Sequence, residues 1–132
     1  MVERYGLPYA LDAKRWLETL EAIRRLGEKG YTVIPGHGPV LRGDRLEETV
    51  EAARRAVMEA RRVILEAVSQ RPMTTEELAL LVTRRLAAVE PTPRNTSLNR
   101  VTVSSILAWL HEEGLVEPRV GERGVAWTAK RA

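Results

Sequence analysis

Apolar side chains recur at three- and four-residue steps along four stretches of the chain, with short β-branched runs beside some of them. Residues 12–27 predict a helix: Asp12 stands as N-cap, and Trp16, Leu17, Leu20, Ile23 and Leu26 form one stripe. Gly27 and Gly30 end it. Tyr31-Thr32-Val33-Ile34 then predicts a short strand, and Pro35-Gly36-His37-Gly38-Pro39 an irregular loop. The longest helix is expected over 44–71. Its seam is Leu46, Val50, Ala53, Val57, Ala60, Ile64 and Ala67, and its first turns hold Asp44, Glu47, Glu48 and Glu51, where the helix dipole favours anions.

Pro72 closes that helix. Thr74 and Glu77 are spaced as a capping box, and Leu78, Leu81, Val82 and Leu86 carry a helix to about residue 88. Residues 90–96 read as a loop. A third helix spans 97–113, with Leu98, Val101, Ile106, Leu107 and Leu110 inward and Gly114 beyond its end. Residues 115–120 and 125–128 predict two strands around the turn Gly121-Glu122-Arg123-Gly124, with Pro118 marking an edge. Counting the end of the long helix, the order is helix, helix, helix, two-stranded ribbon, which is that of a winged helix-turn-helix. The expected fold is mainly α with a small β component (α+β). It divides into residues 1–43, a long connecting helix over 44–72, and a winged-helix unit over 73–132.

The charge pattern narrows the function classes only slightly. The 132 residues carry a net charge of +3, with 18 Arg and 3 Lys, and neither half is a charge block. Abundant Arg with only three amides (Gln70, Asn95, Asn99) fits a thermophile or a GC-rich genome. The absence of Cys excludes disulfides, thiolate metal sites and Cys nucleophiles. No apolar run approaches a bilayer's width and the N-terminal residues have no long apolar core, so the expected compartment is the cytoplasm. Arg54, Arg55, Arg61 and Arg62 read as a solvated helix face, with a basic ridge for an anionic partner as the alternative. Trp16, Trp109 and Trp127 read as packing residues, and His111 as a partly exposed helix residue.

His37 is the candidate chemical residue, because a rigid Gly/Pro loop can aim an imidazole at a metal. A helix such as Leu17 to Leu26, a strand, and then Ile34-Pro35-Gly36-His37-Gly38-Pro39 resemble the last metal-binding segment of the metallo-β-lactamase-fold hydrolases. Downstream, Val63-Ile64-Leu65-Glu66-Ala67-Val68 and Met73-Thr74-Thr75-Glu76-Glu77-Leu78 resemble the subgroup with an appended winged-helix domain, the β-lactamase-like protein 2 type. The resemblance implies that residues 1–43 are a remnant of the αββα hydrolase fold and that His37 is one ligand of a zinc-type divalent metal. The family's main motif, His-x-His-x-Asp-His, is absent, and the chain has two His in all. One His cannot supply the three or so protein ligands of catalytic zinc. The resemblance therefore implies the C-terminal portion of a hydrolase, inactive as this chain, with the N-terminal hydrolase portion as missing partner.

A second class of function competes: a stand-alone winged-helix module for nucleic acid or a protein partner. Its recognition helix would present Asn99, Arg100, Ser104 and Ser105, and its wing Arg119 and Arg123, with Lys130 and Arg131 in the tail. Single-stranded RNA cleavage by some members of the resembled subgroup points the same way. The lone strand over 31–34 has no sheet to join, which predicts disorder over the first 43 residues or pairing with a second chain, as in a homodimer.

Overall fold

A computed structural model describes residues 5–131. Four helices and a three-stranded sheet follow in the order α1 (Ala13–Glu28), α2 (Gly43–Gln70), β1 (Met73–Thr74), α3 (Thr75–Leu86), α4 (Pro93–Glu112), β2 (Val116–Gly121) and β3 (Gly124–Ala129). The α+β expectation holds: the described chain is mostly helical, and its sheet is small and antiparallel.

Local chemistry sets the helix boundaries. Asp12 accepts from the Arg15 amide and starts α1. Thr74 and Glu77 form the expected reciprocal box at α3, with the Glu77 amide 3.1 Å from Thr74 Oγ1 and the Thr74 amide 2.8 Å from Glu77 Oε2. A second box, between Thr92 and Asn95, starts α4 at Pro93, four residues before the expected position. There Pro93 occupies the first turn, where its missing N–H costs nothing. Gly114, at φ +73°, lets the chain leave α4 while its amide returns to His111 O.

The sheet order is β1–β3–β2. The strand β1 was not expected: two residues, Met73 and Thr74, pair with Trp127 and Ala126. Pro118 lies on the edge strand β2, where the lack of a donor is tolerated. The core runs between α2, α3, α4 and the sheet. Val57, Ala60 and Ile64 of the α2 seam meet Leu78 and Val82 of α3, Ile106, Leu107 and Leu110 of α4, and Val116 of β2, all fully buried. Fully burying each Leu or Ile contributes about 2 kcal/mol relative to exposure.

The first 43 residues depart from expectation. The strand over 31–34 is reduced to one antiparallel bridge, Val33 with Leu41, closed by two hydrogen bonds of 2.8 Å. The bridge pairs the strand with its own chain, seven residues after Ile34. From residue 5 on, packing holds the rest of the segment, and the part of the expectation that falls on residues 1–4 lies outside the described residues. Helix α1 lies against α2, with Leu20 and Ile23 on a small second core of Leu41, Leu46 and Val50. Residues 5–13 run along α4, where Leu7, Ala10 and Ala13 are buried.

Candidate functional site

His37 sits at the tip of the loop between Val33 and Leu41. The bridge fixes the two ends of the loop, and Gly38, at φ +107°, turns the chain just after the imidazole. The side chain is exposed and makes no hydrogen bond or ion pair among the described residues. It borders a groove of about 860 Å³ between α1, the loop and α2. Trp16, Leu20, Ile23 and Val50 make the groove largely apolar; Tyr9, Arg45 and Glu48 are among its polar groups. Tyr31, Ile34 and Val40, 53–79% exposed, stand on the same loop region.

The donor set around His37 does not make a metal site by itself. No group of three or more His, Cys, Asp or Glu among the described residues is placed to hold an ion. The loop offers one imidazole among prolines and glycines. His111, the other histidine, is on α4, with Nδ1 3.0 Å from Val116 O and its ring edge against Trp127.

The four residues expected to touch nucleic acid do not form one surface. Asn99 is a correction: it is 2% exposed, and its Nδ2 donates to Tyr5 O at 2.7 Å and Thr83 Oγ1 at 3.0 Å. Helical period places it on the covered side of α4, because residues 5–13 lie over a face the sequence leaves open. Arg100 is exposed and paired with Glu76. Arg119 reaches Glu117 within its own strand at 3.3 Å. Arg123 is exposed at the turn between β2 and β3. Ser105 faces the N-terminal segment as well, with the Ala13 amide 3.1 Å from its Oγ.

The arginines of α2 are matched by glutamates at helical spacing. Arg54 binds Glu51, and Arg62 binds both Glu59 and Glu66. Hydrogen bonds from Arg54 and Arg62 hold the Glu51 and Glu59 carboxyls below the usual carboxylate range. Arg61 lies over the Trp109 ring, 4.4 Å from its centroid, and pairs with Glu113. The arginine-rich face is thus charge-balanced along its length. Trp127 packs as expected and donates from Nε1 to Thr75 Oγ1 at 3.0 Å, joining β3 to the start of α3. No described helix is long and apolar enough to cross a membrane.

No family model and no curated protein matches the sequence. Among solved structures, the chain is similar to a β-lactamase domain protein from Burkholderia ambifaria, with a TM-score of 0.67 and 18% identity. The match covers 84% of this chain and 32% of that one. This chain therefore shares the fold of about a third of a β-lactamase domain protein.

Proposed function

We propose that the chain is the C-terminal portion of a metal-dependent hydrolase of the metallo-β-lactamase superfamily, with a winged-helix unit formed by the end of α2, β1, α3, α4, β2 and β3. The observation that carries this reading is the asymmetry of the structural match: most of this chain aligns with less than a third of a β-lactamase domain protein. Two features support it. His37 projects from a rigid loop with no partner of its own, and the groove beside it is apolar where an isolated surface would be polar. His37 would be one ligand of a zinc-type metal whose other ligands lie in the missing portion, and this chain alone would be inactive.

The test is made on the native protein from cell extract, by intact mass, N-terminal sequence and bound-metal analysis. The expected result is a mass well above the 14.9 kDa of this chain, with residues preceding Met1 and a divalent metal that His37→Ala diminishes. A native protein of 14.9 kDa starting at Met1, without metal, would refute it.

A further inference from the structure

Helix α4 carries three polar side chains at three-residue spacing on the face turned to residues 5–13: Asn99, Thr102 and Ser105. Each step advances about 4.5 Å along the helix, and each side chain engages backbone further along the segment. Asn99 Nδ2 donates to Tyr5 O. Thr102 Oγ1 donates to Pro8 O at 2.7 Å and accepts from the Ala10 amide at 3.0 Å. Ser105 Oγ accepts from the Ala13 amide and stands 3.2 Å from Ala10 O. Asn99 and Thr102 are buried. The segment is also fixed from below: Leu7 is 2% exposed, and Gly6 lies against the backbone of Leu86 and Ala87.

Thr102 uses both functions of one hydroxyl, as donor and acceptor, on the residues flanking Tyr9. A buried hydroxyl satisfied in this way admits one backbone placement, since any other leaves a buried amide or carbonyl unpaired. Pro8 and Tyr9 line the same groove as His37. We infer that Asn99, Thr102 and Ser105 are positioning residues: they clamp the backbone of residues 5–13 onto α4, and by holding Pro8 and Ala10 they set Tyr9 in the wall of the His37 groove. Asn99 and Ser105, two of the residues that a winged helix would turn to nucleic acid, are thereby engaged by the chain itself. This holds whether or not His37 binds a metal.

The experiment compares the whole chain with Thr102→Val, which keeps the shape and removes the hydroxyl, and Thr102→Ser, which keeps the hydroxyl. Amide exchange and the ring resonances of Tyr9 and His37 are followed by NMR. In Thr102→Val, exchange protection of the Ala10 amide is expected to fall at least about tenfold. The Tyr9 and His37 rings should shift while α3 amides do not change, and Thr102→Ser should restore the wild-type values. An unchanged Ala10 amide, unmoved rings or failed rescue by Ser would overturn the inference. If Thr102→Val does not fold, Ser105→Ala decides it through the Ala13 amide, whose protection must fall. A short DNA duplex is then added to the wild type. The Asn99 and Thr102 resonances are expected not to move, and their movement would show that this face is open to nucleic acid.

Discussion

Replacing Gly6 by Ala should uncouple the N-terminal segment from the rest of the fold. Gly6 has φ +82°, and a Cβ there would lie 2.5 Å from Ala87 N and 2.6 Å from Leu86 C. Both neighbours are backbone, so no side-chain rotation relieves the contact. The left-handed conformation alone costs an L-residue about 1–2 kcal/mol. Restoring an ordinary contact of 3.4 Å requires a shift of about 0.9 Å, which a closely packed interior does not absorb locally. The next residue is Leu7, whose burial contributes about 2 kcal/mol. If the segment lifts away entirely, the loss is Leu7 plus the seam hydrogen bonds at about 1 kcal/mol each. The cost is thus bounded between the strain, about 1–2 kcal/mol, and full detachment, about 7 kcal/mol for Leu7 and the five seam hydrogen bonds. Urea unfolding followed by circular dichroism measures it. A lower denaturant slope would mark detachment before global unfolding, because less surface remains to be exposed. A loss below about 1 kcal/mol would refute the reasoning, since a Gly→Ala change at a compatible site stabilises by about 0.4–1 kcal/mol.

Three further outcomes are expected. Thr92→Ala removes the acceptor for the Asn95 amide and should cost about 1 kcal/mol in urea unfolding, with Thr92→Ser within a few tenths of wild type; equal stability of all three would show that the box does not hold α4. The carboxyls of Glu21, Glu51 and Glu59 titrate below their usual range because arginines donate hydrogen bonds to them. Their contribution is therefore complete above the unfolded value near pH 4.3 and fades as pH falls through the lowered folded values, so the thermal midpoint should be flat from pH 6 to 8 and drop below about pH 4. A midpoint equal at pH 7 and pH 3 would contradict this. His37→Ala should shift the thermal midpoint of this chain by no more than about 0.5 kcal/mol equivalent, because the side chain is exposed and without partners; a larger loss would make His37 a structural residue.

The parts legible in the sequence are those fixed by neighbours within one helix turn. The α2 seam, the Asp12 cap and the Thr74–Glu77 box all depend on residues three or four apart, and each is found where the spacing places it. The turn at Glu122-Arg123 is equally local. What was missed depends on distant partners. Met73 and Thr74 become a strand only because β3 returns beside them, more than fifty residues later. The start of α4 is the exception, because Thr92, Pro93 and Asn95 carry a local box signal of the same kind as Thr74 and Glu77, inside the stretch expected to be a loop. His37 was legible as a loop-borne imidazole. The apolar groove beside it was not, because its walls come from four separate segments.

The polar face of α4 shows how that limit shaped the functional reading. Read alone, Asn99, Arg100, Ser104 and Ser105 suggest a base-reading edge. Folded, Asn99 and Thr102 are as buried as Leu107 and Leu110 of the same helix. Burial of an unpaired amide or hydroxyl costs about 1–3 kcal/mol, so these side chains are tolerable only where a backbone segment meets their hydrogen-bonding groups. A polar triad at positions i, i+3 and i+6, set among the inward Val103, Ile106 and Leu110, is therefore as much the signature of a covered seam as of an open reading face. Residues 5–13, with small side chains at Gly6, Ala10 and Ala13, are suited to such close backbone approach. On this argument the N-terminal segment and α4 form a matched pair, and the placement of the His37 groove depends on both.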